Sequence, residues 1–147
     1  MGQMNYLLRF LDRTFVTKVL LLALLYSLLP LAEIFLLMAY VADRSGGGLQ
    51  IIDVSNPLSP TLRANFDTPG DARRVQVVGS LAYVADAYAG LQIVDVSNPA
   101  SPTLRGNFNT PAYAQSVQVV GSLAYVADAY AELQIVDVSD PASPTRR

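Results

Sequence analysis

The sequence predicts a mainly β fold: antiparallel four-stranded blades of propeller type, about two and a half of them in an incomplete ring, preceded by one N-terminal transmembrane helix. Three observations lead there. A nine-residue word stands three times, as "LQIIDVSNP" (49–57), "LQIVDVSNP" (91–99) and "LQIVDVSDP" (133–141). Each copy is set among short β-branched runs separated by Gly, Pro and Asn turns. Ahead of them, residues 19–38 run without a charge except Glu33.

The chain reads as a cytoplasmic segment 1–18, an anchor helix 19–38 and a repeat region 39–147, divided into units 39–74, 75–116 and 117–147. The anchor comes first. Twenty helical residues rise about 30 Å, the depth of a bilayer's hydrocarbon core. A chain this short has no body to bury such a helix on all sides, so membrane lipid is its expected partner. Residues 37–42 offer poor small-residue pairs for a signal-peptide cut, which favours an uncleaved anchor. Pro30 would kink the helix, as membrane helices tolerate. Glu33 is an intramembrane candidate functional residue, or else reaches interfacial water or stays protonated. Arg9, Arg13 and Lys18 before the span place the N-terminus in the cytoplasm and the repeats outside. The order "LLYSLLPLAEIFLLM" resembles the first membrane helix of the bacterial F-exclusion-suppressor family, and that resemblance stops at Met38.

Residues 75–105 align with 117–147 at a period of 42 and differ at three of 31 positions. Such a period marks solenoids and propellers. Within a unit, "VQVV" (75–78) is a strand ended by the hairpin turn Gly79-Ser80. "LAYVAD" (81–86) and "LQIVDV" (91–96) are the second and third strands, joined by a turn containing Gly90. Pro99 and Pro102 fix a loop, because proline donates nothing to a ladder. "TLRGNF" (103–108) is the fourth strand. The first unit lacks its "VQVV" strand and the last stops before its fourth, which leaves about ten strands. Three outcomes stay open: self-association that completes a ring, a fragment or rearrangement of a longer propeller, or a short stack with exposed edges.

The words "GLQIVDVSNPASPTL" and "AYVAD" resemble the LVIVD repeat, over residues 39–147. The resemblance implies a bacterial or archaeal β-propeller-type surface protein and carries no catalytic residues with it.

Composition narrows the chemistry. The chain has no Cys and no His, which removes thiolate metal sites and every imidazole-based catalytic arrangement. A net charge of −2 gives no footprint for nucleic acid, and no cofactor is implied. Two acids converging across a pocket would be needed for carboxylate catalysis, and Asp67 with Asp71 is the one loop pair that the next unit does not repeat. The expectation is no enzyme. Asp43, Asp86 and Asp128 end the second strands; Asp53, Asp95 and Asp137 end the third. Calcium favours such oxygens, but the acids stand nine or ten residues apart, and the structural alternative is that each accepts turn or strand amides. Tyr88, Tyr113 and Tyr130 fall in loops, where they either meet a partner or fill turns. The function expected is therefore a membrane-anchored surface module for binding, adhesion or structure, with a helix-centred role for Glu33 as the alternative.

Overall fold

The computed structural model describes residues 37–147; residues 19–36 of the expected anchor, Glu33 and the positive N-terminal segment lie outside the described residues, while Met38, expected to end the anchor helix, instead begins a strand and pairs with Asp53. Eleven strands form three antiparallel sheets in chain order. The first holds β1 (Met38–Asp43), β2 (Gly48–Asp53) and β3 (Thr61–Phe66). The second holds β4 (Arg74–Val78), β5 (Leu81–Ala85), β6 (Leu91–Asp95) and β7 (Thr103–Phe108). The third holds β8 (Ala114–Val120), β9 (Leu123–Asp128), β10 (Glu132–Asp137) and β11 (Thr145–Arg146). Each sheet is a simple meander, and there is no helix among the described residues.

The strand count corrects the sequence reading at one place. Thr145 and Arg146 pair with Asp137 and Val136 as a fourth strand, so eleven strands form where about ten were expected. Two residues are too few to carry a hydrophobic period, which is why the element is invisible in sequence. Arg147 secures it twice, donating its N–H to the Ile135 carbonyl at 2.9 Å and its guanidinium to Asp137 at 2.7 Å. Elsewhere the turns follow their chemistry. Val78 pairs with Leu81 across Gly79-Ser80, and Gly79 alone has positive φ (59°), the pattern of a type II′ hairpin turn. Gly121 repeats it in the third sheet with the same angle.

Why the strands read as near-continuous apolar runs follows from the stacking. The second sheet is covered on both faces, as propeller blades are. On one face Ala82, Val84, Val94 and Val96 pack with Leu49 and Ile51 of the first sheet. On the other, Tyr83, Ala85, Leu91 and Ile93 pack with Val117, Val119, Val126 and Val136 of the third. A polar clamp reinforces the second junction. The Gln76 amide accepts from Val119 N–H at 2.7 Å and donates to the Val119 carbonyl at 3.3 Å. Gln76 and Gln118 are the same repeat position, and Gln118 is exposed.

One repeat position carries backbone strain. Gly48, Gly90 and Glu132 begin the third strand of each unit and all have positive φ (58°, 72° and 60°). Gly90 could not take a side chain: a Cβ there would overlap the Phe108 carbonyl and stand 2.7 Å from Thr110 N. Glu132 is exposed, so its side chain is accommodated and the backbone cost remains. Left-handed backbone costs an L-residue about 1–2 kcal/mol. Glu132→Gly is therefore expected to stabilise the chain by about 1 kcal/mol in equilibrium unfolding, despite the usual entropic cost of glycine.

Candidate binding face

The meander sets two chemically different ends on each sheet. At one end lie the turns between β5 and β6 and between β9 and β10, together with the linkers that enter β4 and β8. At the other lie the hairpins at Gly79 and Gly121 and the proline loops.

The third-strand acids sit at the proline-loop end. Asp53, Asp95 and Asp137 each accept the N–H of the serine two residues on, at 2.9–3.0 Å, and Asp53 also accepts the Ser55 hydroxyl at 2.6 Å. The serine hydroxyl first, and its amide second, holds all three carboxyls below the ordinary value. Such bonds close the turn by side-chain mimicry of backbone. The three acids do not converge. Among the described residues no group of three potential ligands could hold a metal ion.

The second-strand acids lie at the opposite end and do different work. Asp43 accepts Ser45 N–H at 3.0 Å and the Gln50 amide at 2.9 Å, within its own sheet. Asp86 joins two sheets: fully buried, it accepts the Thr68 hydroxyl at 2.7 Å and Gly70 N–H at 2.8 Å from the linker that leaves the first sheet. Burial pushes its carboxyl up, the two bonds pull against this, and the charges of Asp71 and Asp67 add to the rise.

Asp128 holds the same place at the next junction, where the linker differs. Its Oδ2 accepts Ala112 N–H at 2.9 Å, but its Oδ1 and the Thr110 hydroxyl are both buried without partners. Ala112 stands where the earlier linker has Gly70. A Cβ added at Gly70 would overlap the Asp86 carbonyl oxygen and reach 3.2 Å from Asp86 Oδ2. The linker that carries a methyl at this place is the one whose buried Thr–Asp bond is missing. Removing the methyl is expected to let the Thr110–Asp128 bond form, worth about 1–2 kcal/mol with two buried groups satisfied, against about 0.5–1 kcal/mol for glycine's added freedom. Ala112→Gly is expected to raise stability slightly, by about 0.5 kcal/mol, and a thermal melt beside the wild type measures it.

Above these acids the same end carries aromatics. Tyr88 and Tyr130, at the tips of the two turns, are 76% and 88% exposed. Tyr113, from the linker into β8, meets Tyr88 edge-on with ring centres 3.9 Å apart and planes at 71°. The Arg73 guanidinium lies 4.7 Å over the Tyr113 ring, a cation–π distance. Hydrogen bonding to Tyr113 raises the Tyr88 hydroxyl pKa first, with a smaller push from Tyr130 and an opposing one from Arg73. Two of the loop tyrosines are thus brought into contact, and the third lies near enough to be felt.

Sequence reading missed Arg73, Thr68 and Gln76, and the buried glutamines of the third strands. Gln92 and Gln134 donate to the Ala89 and Ala131 carbonyls at 2.6 and 2.5 Å. Their signal was present: a polar residue recurring at one place in an otherwise apolar strand.

Three stacked antiparallel meanders built from a 42-residue period define a β-rich repeat protein of propeller-like blades. The chain belongs to the LVIVD repeat family, whose model matches residues 38–68, 69–110 and 111–146. Comparison with the curated proteins gives no match.

Proposed function

We propose that the chain is a membrane-anchored, extracytoplasmic module that binds or adheres through the loop end carrying Tyr88, Tyr113, Tyr130 and Arg73, and that it performs no catalysis. One observation carries the reading. The strands of the second and third units are near copies, yet the linkers 67–74 and 109–116 differ at five of eight positions, and those differences include Asp71 against Tyr113 and Arg73 against Gln115. Variation on loops held by a fixed scaffold is where binding specificity resides. Tyrosine offers a large, stiff contact surface with a polar tip, suited to an interface. The apolar run 19–38 and the charges Arg9, Arg13 and Lys18 support the anchoring and the outward orientation. The absence of His and Cys from the sequence, and the duplicated strands, support a non-catalytic role.

Cells expressing the chain test both parts. Protease added to intact cells is expected to remove residues 45–147 while a cytoplasmic control survives. Adhesion of those cells to a host-matrix or bacterial surface is expected to fall at least tenfold with Tyr88→Ser and Tyr130→Ser together, both being exposed and outside the core. Full adhesion by the double variant would sink the binding face, and protection of the repeats would sink the topology.

A further inference from the structure

We infer that the outer face of the third sheet docks the first sheet of a second copy of this chain, closing two copies into one ring. Tyr83, Ala85, Leu91 and Ile93 of the second sheet are buried against the third. The corresponding residues of the third sheet are the same types, Tyr125, Ala127, Leu133 and Ile135, and none of them is buried. Leu133 is 55% exposed. A groove of 640 Å³ lies beside the junction of the second and third sheets, lined by Arg74, Val75 and Gln76 of β4 and reaching Gln118, Tyr125 and Leu133 of the third. The face is a copy of one whose occupant is visible within the chain, and that occupant is the Ala-Val side of a sibling sheet.

The matching side is also open at the other end. Ala82, Val84, Val94 and Val96 of the second sheet are buried against the first. Ala39, Val41, Ile52 and Val54 hold those places in the first sheet; none is buried, and Val41 is 40% exposed. The internal junctions join unlike faces, so two third sheets meeting each other would not reproduce them. A head-to-tail contact does, and in a two-fold pair it is made twice. Two copies bring six sheets, inside the about four to eight blades of closed propellers. The inference concerns the sheets alone and does not depend on the tyrosine face or on membrane topology.

The absence of native cysteine makes the test clean. Full-length Val41→Cys and Leu133→Cys chains, purified in detergent, are mixed and treated with a short bis-maleimide. Cross-links between the two variants are expected to exceed those within either variant alone by at least tenfold. A chain carrying both cysteines is expected to give covalent dimers without a ladder. A Leu133→Arg chain with no cysteine, added to the mixture as a competitor, is expected to compete at least tenfold less well than cysteine-free wild type while keeping its β spectrum. Dominant 133–133 or 41–41 links, a ladder, no links in the mixture, or undiminished competition by Leu133→Arg would each overturn the inference.

Discussion

Asp86→Ala is expected to lower the free energy of unfolding by about 3–5 kcal/mol, measured by denaturant titration. The reason is what the substitution leaves behind. Thr68 Oγ1 and Gly70 N–H both donate to this carboxylate at the junction of the first two sheets. Each buried donor left without a partner costs about 1–3 kcal/mol, and the lost volume adds to it. A pH signature accompanies the effect. The Asp86 carboxyl is raised above its ordinary 3.8 by burial first, with Asp71 and Asp67 adding to it. A carboxyl with a raised folded-state pKa holds its proton more tightly when folded. Its contribution is therefore greatest below 3.8 and declines as pH rises through that value to the folded-state pKa. Asp86→Asn removes this titration, so the stability difference between wild type and Asp86→Asn is expected to fall across that window and to be flat above it. The turn acids Asp53, Asp95 and Asp137 act in the opposite sense, since their pKa values are lowered. They are common to both proteins and cancel in the comparison.

Leu91→Ala is expected to cost about 3 kcal/mol and Leu133→Ala less than about 1 kcal/mol in the unfolding of a single chain. The two leucines hold the same repeat position in the same local sequence. Leu91 is fully buried between the second and third sheets, and Leu133 faces outward. Local propensity is the same for both, so the difference isolates burial by the neighbouring sheet. Equal costs would mean that the third sheet is covered in the monomer, contrary to the stacking described. In a closed pair, Leu133→Ala would act instead on association.

How much was legible in the sequence divides along physical lines. Strands defined by local pattern could be read directly: "VQVV", "LAYVAD" and "TLRGNF" lie within one residue of Arg74–Val78, Leu81–Ala85 and Thr103–Phe108. The Asp turns were legible too, because each acid bonds a serine two residues away. Long-range features were not. Tyr88 and Tyr113 are separated by 25 positions, and placing their rings together needs the sheet packing. The grip of Gln76 on Val119 spans 43 positions. Near-identity between units also hid a real difference: Gly70 against Ala112 looks conservative, yet the buried Thr–Asp bond is present beside the glycine and absent beside the alanine.

The central structural claim is that repeats of one sequence occupy unequal environments, with the second sheet fully paired and covered and the third open at its edge. Amide hydrogen exchange on the full chain tests this most directly, because "LQIVDVS" occurs at 91–97 and 133–139 and intrinsic exchange rates are therefore matched from the second residue of each copy onward. β6 bonds β5 and β7 along its whole length, whereas β11 pairs only with Val136 and Asp137 of β10. Residues 91–95 are expected to exchange at least tenfold more slowly than residues 133–135. Equal protection of the two copies would contradict the account.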